Sequence, residues 1–233
     1  MSESPLLDVK GLCAAYGRSQ VLFDVSVTAS PRGAIAVLGR NGAGKTTLMK
    51  TIVGELATAS GAVMIAGREA THMRTERRVR LGLGYVPQEF AVFGRLSVRE
   101  NLDVGMLVKR DSAGLDRVLA MFPKLRSRLN QTAGTLSGGE RKMLAIGRAL
   151  LANPSILLLD EPTEGVWIGV VEEIAERLRD LAKEICIVLV EQHLSLALNV
   201  ANQAYVLDRG RVVLEGASQE IRDHPKLLHY LAP

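Results

Sequence analysis

Nine consecutive residues supply the groups that a bound phosphate requires. They are Gly39, Arg40, Asn41, Gly42, Ala43, Gly44, Lys45, Thr46 and Thr47, and they fit the pattern G-x-x-x-x-G-K-[ST]. The glycines allow the backbone to curl so that its N–H groups converge, and the helix that follows adds its positive N-terminal end. We expect Lys45 to reach the β- and γ-phosphates and the Thr46 hydroxyl to bind Mg²⁺. Residues 39–47, called the phosphate loop below, predict only a nucleoside triphosphate site.

The sequence on either side of the phosphate loop supports this interpretation. The apolar run from Ala34 to Leu38 predicts a buried strand before it. Leu48, Met49, Ile52 and Val53 follow it with the spacing of a helix. The motif requires this order of strand, loop and helix, and a chance match would not be expected to have it.

Two adjacent carboxylates form a second candidate element. Asp160 and Glu161 come directly after the apolar run 156–159, which predicts a buried parallel strand. Ligand chemistry in α/β sheets lies at the carboxyl ends of such strands. We expect Asp160 to hold Mg²⁺, directly or through water, and Glu161 to orient and activate an attacking water. The alternative for the pair alone is a solvated turn.

A third element is the Ser-Gly-Gly segment, residues 137–139. Gly138 and Gly139 expose backbone N–H groups at a predicted helix start, and Ser137 adds a hydroxyl, which together suit an anion. Taken alone, the segment would more simply be an ordinary helix entry.

Composition limits the classes of partner. The chain has 233 residues, 47% of them hydrophobic, with a net charge of +4. Its basic residues are scattered and aromatic residues make up 4%, so no nucleic-acid partner is expected. No apolar run approaches the ~20 residues of a membrane span, and residues 1–5 do not have a signal-peptide pattern. Cys13 and Cys186 are expected to be buried thiols rather than a disulfide or metal pair.

The hydrophobic periods predict an α/β fold. Strands are predicted within 6–29 and at 34–38, 61–67, 83–88, 156–160, 185–190, 204–207 and 212–214. Helices are predicted at 48–56, 68–80, 170–184, 194–200 and 218–231. From about 89 to 153 helical periods replace strand-like runs. There Ser97 to Glu100 forms a capping box, and Pro123 ends a helix. We therefore expect an α/β core of residues 1–88 and 154–233, an N-terminal antiparallel β subdomain, and an inserted α-helical subdomain of residues 89–153.

Tyr16 has two possible roles. Its neighbours Ala14, Ala15 and Gly17 are small, so an exposed aromatic ring there could stack on an adenine. The simpler alternative is half-buried strand packing.

The three elements together resemble the ATP-binding cassette (ABC) family in order and spacing. Gln88, after a strand, matches that family's glutamine loop, and Tyr16 matches its adenine-stacking aromatic. The resemblance implies a RecA-like P-loop NTPase core, the cofactor Mg²⁺, the substrate ATP, and contact of Gln88 with nucleotide and metal. It also implies head-to-tail pairing with a second ABC ATPase, either a paralogue or another copy. In that pairing the Ser-Gly-Gly segment of one subunit contacts the γ-phosphate held by the other.

The resemblance extends over nearly the whole chain and narrows to ATPases of branched-chain amino acid importers, closest to the smaller of the two paralogues. It is carried by segments outside the three elements: Tyr85-Val86-Pro87, Glu100-Asn101-Leu102, Phe122-Pro123-Lys124-Leu125, the run 144–150 and Leu189-Val190-Glu191-Gln192. It implies membrane permease partners, an extracytoplasmic solute-binding protein acting indirectly, and a place on the cytoplasmic face of a bacterial-type plasma membrane.

Three alternative functions share some of these sequence features. A urea or short-chain amide importer ATPase is similar in the same segments. A soluble ABC ATPase of DNA repair or translation would usually carry a coiled-coil insertion or a second fused cassette, which the sequence lacks. A plain P-loop kinase is disfavoured by the Ser-Gly-Gly segment.

Two positions depart from the family's usual pattern. Counted back from Gly210, the position of the switch histidine falls on Gln192, not His193, an arrangement usual in this subfamily. We expect Gln192 to sense the γ-phosphate, because its amide can donate a hydrogen bond without titrating. The second departure is Val166-Trp167-Ile168-Gly169, where an Asp or Ala followed by Pro is usual. Trp167 is expected either in the inter-subunit loop or as an ordinary surface or core residue.

Overall fold

The computed structural model describes residues 4–89, 91–107 and 111–231. The strands in these ranges are β1 Leu7–Tyr16, β2 Ser19–Ala29, β3 Gly33–Leu38, β4 Thr58–Ile65, β5 Arg68–Glu69, β6 Leu83–Val86, β7 Ile156–Asp160, β8 Cys186–Glu191, β9 Gln203–Asp208 and β10 Arg211–Ala217. The helices are α1 Lys45–Val53, α2 Thr75–Arg80, α3 Val98–Gly105, α4 Ser112–Met121, α5 Pro123–Arg126, α6 Gly138–Leu150, α7 Ile168–Ala182, α8 Leu194–Val200, α9 Ser218–Arg222 and α10 Leu227–Leu231, with a 3₁₀ turn at Ala133–Thr135.

Six strands form a sheet in the order β10-β9-β3-β8-β7-β6. Strands β9, β3, β8, β7 and β6 are parallel, and β10 pairs antiparallel to β9 at one edge. The phosphate loop begins at the carboxyl end of β3, and Asp160 ends β7 two strands away. The α/β fold predicted from the sequence is confirmed, and the parallel arrangement brings both elements to the same edge.

Alternate residues of the parallel strands contribute to two separate hydrophobic cores. In β3, Ala34, Ala36 and Leu38 belong to a cluster that includes residues of α6, α7 and α8. Ile35 and Val37 belong to a second cluster, formed with α1 and strands β1, β2 and β4. All five side chains are at most 5% exposed. The sheet is therefore packed on both faces, which fixes the positions of its strand ends.

A second, antiparallel sheet has the order β2-β1-β4-β5 and confirms the predicted N-terminal β subdomain. The helix predicted over 68–80 is wrong in its first part. Ala66 and Gly67 have positive φ angles of 50° and 71° and turn the chain back as a hairpin. Arg68 then pairs with Ile65, so that only Thr75–Arg80 is helical.

The helices between β6 and β7 pack closely through small residues and caps. The predicted capping box is present, because Ser97 and Glu100 bond each other's backbone N–H groups. Helix α4 ends at Met121, and Pro123 begins the short α5. Gly147 of α6 allows a close approach to α4, since a Cβ there would lie 2.7 Å from Val118 Cγ1.

The predicted C-terminal helix over 218–231 is wrong as a single element. It is divided into α9 and α10, with Pro225 between them, because proline has no N–H to continue the helix.

Cys186 is buried as expected, Cys13 is half-buried, and both are free thiols. No helix in the described ranges combines the length and apolarity needed to cross a membrane.

Arg78 of α2 is the largest polar side chain in the interior. It is 2% exposed, and burial lowers the pKa of its guanidinium. The guanidinium donates to the carbonyls of Thr51 and Ile52 at the end of α1, at 2.8 and 2.7 Å. It also donates to Thr71 O and Met73 O, each at 2.9 Å. Arg78 therefore satisfies the carboxyl end of the helix that follows the phosphate loop.

Replacing Arg78 with methionine should destabilise the protein without changing its surface. The substitution leaves four carbonyls without their charged donor, and we expect a loss of about 2–4 kcal/mol, or a Tm lowered by about 5–10 °C. Arg77→Met is the matched control, because Arg77 is an exposed neighbour on the same helix. Its Tm should stay within about 2 °C of the wild type. Equal Tm values for both variants by calorimetry would contradict the structural role of Arg78.

Candidate functional site

The phosphate loop connects β3 to α1 around a buried lysine. Lys45 is 4% exposed, and its Nζ donates to Gly39 O at 2.9 Å and Arg40 O at 3.1 Å. Gly42 and Gly44 have φ angles of 79° and 105°, in the region that favours glycine. The first turn of α1 carries no acidic residue, so its positive end is not neutralised there. The loop therefore has the shape and charge of an anion site.

A cavity of ≈ 280 Å³ opens over the phosphate loop. Its lining brings together residues predicted from three separate motifs: Asn41, Gly42, Gly44, Lys45, Thr46, Thr47, Gln88 and Glu161, with Val21 beside them. The arrangement places a cation, a hydroxyl, an amide and a carboxylate around one space. These are the groups needed to bind a phosphate and its metal ion and to activate water.

Asp160 ends β7 and is completely buried. Its Oδ1 has no hydrogen-bond partner among the described residues, while Oδ2 lies 3.5 Å from the Tyr85 hydroxyl. Burial raises the pKa of the Asp160 carboxyl, and the Thr46 hydroxyl and the Lys45 ammonium act in the opposite direction. A buried carboxylate oxygen without a partner costs free energy, which a bound cation would recover.

Glu161 is held by two groups at once. Its Oε1 lies 3.3 Å from Lys45 Nζ, and its Oε2 accepts a hydrogen bond of 3.0 Å from Gln88 Nε2. Gln88 also donates to Glu164 Oε2 at 2.8 Å. The Glu161 backbone has a φ of 49°, which is unusual for a residue with a side chain and typical of functional turns.

The Ser-Gly-Gly segment begins α6 and lies outside the lining of the cavity over the phosphate loop. Ser137 is exposed, and its hydroxyl donates to Glu140 Oε2 at 2.9 Å within a capping box. Gly139 is required by packing, because a Cβ there would lie 2.5 Å from Val170 Cγ1. Gly138 instead borders a neighbouring cavity of ≈ 490 Å³, which Gln88 also lines.

Four further residues singled out in the sequence lie at the surface. Tyr16, at the end of β1, is 48% exposed, and it does not line the cavity. Gln192 and His193 follow β8 and are both exposed. Trp167 is 74% exposed, and its ring lies over Gly169, where a Cβ would clash with it.

Two residues around the site carried no signal of their own in the sequence pattern. Lys142 of α6 donates to Gln88 O at 3.0 Å and Glu161 O at 3.1 Å. Its position in the helical period does not distinguish it from a surface lysine. Glu191 is 1% exposed; it accepts from the Thr163 hydroxyl at 2.6 Å and from the Gln192 N–H at 3.0 Å. In the sequence it follows the apolar run 185–190 and is part of a segment that carries the family resemblance, with no role of its own.

Comparison with known proteins gives consistent results. The family described as ABC transporter matches residues 22–164. The high-affinity branched-chain amino acid transport ATP-binding protein BraG of Pseudomonas aeruginosa is 40% identical, over 91% of this chain and 93% of its own. The probable branched-chain amino acid transport ATP-binding protein LivF of Archaeoglobus fulgidus is 39% identical over 92% and 93%. The lipopolysaccharide export system ATP-binding protein LptB of Escherichia coli is 35% identical over 92% of both chains.

Solved structures show the same fold over nearly the whole chain. A nucleotide-free ATP-binding cassette from an ABC transporter superposes with a TM-score of 0.86 at 25% identity, covering 98% of this chain and 99% of the other. The ADP conformation of such a cassette gives a TM-score of 0.86 at 25% identity, with coverage of 97% and 98%. Since the family matches more than half of the chain and its relatives cover nearly all of it, the chain belongs to the ABC transporter family, as an ATP-hydrolysing ATP-binding cassette.

Proposed function

We propose that the chain is the ATPase subunit of an importer of branched-chain amino acids. The observation that carries the catalytic part is the gathering of Lys45, Thr46, Gln88 and Glu161 around one cavity, beside the buried Asp160. The cargo is supported by the similarity to BraG and LivF, which are named for branched-chain amino acid transport and are 40% and 39% identical to the chain.

The phosphate loop binds the β- and γ-phosphates of ATP in this proposal. The N–H groups of residues 39–47 and the start of α1 supply the donors, and Lys45 supplies the charge. Tyr16 stacks on the adenine, and its exposed ring is available for that contact. The Ser-Gly-Gly segment contacts the γ-phosphate in the second subunit's site, and the exposed Ser137 at the start of α6 is available for that contact.

Mg²⁺ fits the residues present. The Thr46 hydroxyl, the Gln88 amide oxygen and a carboxylate of Asp160 form the oxygen-rich set that this ion prefers. The fit is supported by Asp160 Oδ1, which is buried and has no partner among the described residues. When bound, Mg²⁺ would neutralise charge on the β- and γ-phosphates.

Glu161 acts as the base that orients and activates the attacking water. In the structure its carboxylate is occupied by Lys45 and Gln88. A γ-phosphate that enters the loop competes for the same ammonium, so nucleotide binding frees the carboxylate to accept a proton from water. Gln192 senses the γ-phosphate, and its backbone N–H is fixed by Glu191.

Such a subunit requires partners to transport a solute. The proposal gives it a second ABC ATPase, as a paralogue or another copy, a pair of membrane permease subunits, and an extracytoplasmic solute-binding protein that acts through the permease. It would then sit on the cytoplasmic face of the membrane. The exposed side chains of Trp167 and Ile168 form an apolar surface near the start of α7, which is available for contact with a partner subunit.

Transport by the reconstituted importer tests the cargo. With the cognate permease and binding protein in liposomes, we expect ATP-dependent uptake of leucine and no comparable uptake of urea. The assembly carrying Glu161→Gln is the control for uptake that does not depend on hydrolysis. Uptake of urea above that of leucine would replace this cargo by the amide alternative, and extraction of lipopolysaccharide would replace import by export.

Replacing Glu161 with glutamine should separate binding from hydrolysis. The amide keeps the shape of the side chain but cannot accept a proton, so we expect turnover to fall about 100- to 1,000-fold with ATP affinity retained. ATP-bound dimers should accumulate and be visible by light scattering. Glu172→Gln is the control, an identical change at an exposed position of α7, and it should leave turnover unaltered. Near-wild-type turnover in Glu161→Gln would refute the assignment.

The pair Gln192 and His193 gives a second test. Neighbouring residues that leave a strand face opposite ways, so only one is expected to reach the phosphate. Gln192→Ala should slow hydrolysis about 10- to 100-fold through loss of a donor to the γ-phosphate. His193→Ala should stay within about twofold of the wild type, a change within ordinary variation of a surface substitution. If the two variants rank the other way in steady-state turnover, His193 is the sensor.

A further inference from the structure

Lys142 joins three segments of the site through one ammonium group. It lies in α6, the helix that begins with the Ser-Gly-Gly segment. Its Nζ donates to Gln88 O at 3.0 Å and to Glu161 O at 3.1 Å. These two carbonyls follow the ends of β6 and β7, neighbouring parallel strands. A single side chain of the helix therefore contacts two of the chain segments that enter the site from the sheet.

The surroundings of Lys142 are unusually rich in carboxylates. Burial lowers the pKa of its ammonium, whereas the charges of Glu164, Glu191, Glu161 and Asp160 act in the opposite direction. Lys45 contacts the carboxylate of Glu161, while Lys142 contacts the carbonyl of the same residue. The two cations thus hold Glu161 from its side chain and from its backbone.

The backbone of Glu161 is the part of the site that most requires such support. Its φ of 49° lies in the left-handed region, which residues with side chains rarely adopt. Its N–H donates to Val190 O at 2.9 Å, and its carbonyl accepts from Lys142 and, at 3.3 Å, from the Glu164 N–H. A charged donor on this carbonyl stabilises the one peptide orientation that directs the carboxylate to the phosphate loop.

We propose that Lys142 is a positioning residue for ATP hydrolysis. It fixes the Glu161 and Gln88 backbones, so that the orientation of the base depends on where α6 lies against the sheet. The inference rests on the proposed role of Glu161 as the base. It assigns Lys142 no contact with nucleotide, and its loss should therefore change the rate of hydrolysis rather than the binding of ATP.

Substitution of Lys142 tests whether its loss lowers the rate of hydrolysis without changing the affinity for ATP. Lys142→Met keeps much of the side chain's length but removes its charge and donors, and we expect kcat to fall about 10- to 100-fold. ATP affinity, measured with a fluorescent ATP analogue, should change by less than about twofold. Lys142→Arg supplies charged donors to the same carbonyls and should recover most of the rate. Lys142→Gln keeps an uncharged donor; it should have an intermediate kcat, and it serves if the methionine variant does not fold.

Lys124→Met is the matched control. Lys124 Nζ lies 2.6 Å from Glu173 Oε2, so it also joins a helix between β6 and β7 to the remainder of the fold, but away from the site. Its loss should leave kcat unchanged. An equal loss of kcat in Lys124→Met would show that any contact between these helices and the remainder of the fold affects the rate, and it would overturn the specific role of Lys142.

A double variant distinguishes positioning from simple stabilisation. If Lys142 acts through Glu161, adding Lys142→Met to Glu161→Gln should lower single-turnover hydrolysis no further, because the positioned group is already absent. Additive losses would overturn the proposal, as would wild-type kcat in Lys142→Met or a parallel loss of affinity and kcat. If Glu161→Gln alone keeps its turnover, the role of Glu161 fails; if only the Lys142 results fail, that role stands.

Discussion

The buried ion pair between Lys45 and Glu161 governs the arrangement of the site. Lys45 Nζ lies 3.3 Å from Glu161 Oε1, and the two side chains are 4% and 6% exposed, respectively. Charges removed from water in this way require partners, and each finds more than one. Lys45 also bonds two carbonyls of the phosphate loop, and Glu161 also bonds Gln88. The phosphate loop and the turn that follows the carboxyl end of β7 are therefore held together before any nucleotide is bound.

The parallel sheet makes this pair possible. Its strands are covered on both faces by hydrophobic clusters, so their carboxyl ends form a fixed edge from which charged groups extend. Asp160 and Glu191 end neighbouring strands and are each at most 1% exposed. Glu191 bonds Thr163 and the backbone of Gln192, which connects the turn after β7 to the turn after β8. Packing thus supplies the rigidity, and buried carboxylates define how the turns are placed.

Motifs with fixed spacing could be predicted from the sequence, while features set by tertiary contacts could not. The phosphate loop and Asp160 are recognised from neighbouring residues in the sequence. In the structure the loop joins β3 to α1, and Asp160 is the last residue of the buried strand β7. The helix predicted at 68–80 failed because the turn at Ala66 and Gly67 outweighs a polar, basic pattern. Lys142 was missed because helical periodicity does not show which lysines turn toward another segment's carbonyls.

Lys45 has a dual part in the proposed cycle, and this follows from the geometry of its ion pair. While the Lys45 ammonium contacts Glu161 Oε1, that oxygen is not available to an attacking water. When the γ-phosphate takes the ammonium, Glu161 loses its contact at Oε1 but keeps the backbone contact with Lys142, which does not involve the carboxylate. The base is then released at Oε1 while its peptide stays oriented. Binding of ATP and activation of the base would follow from the same exchange of partners at Lys45, and the nucleotide-free site would hold its base inactive.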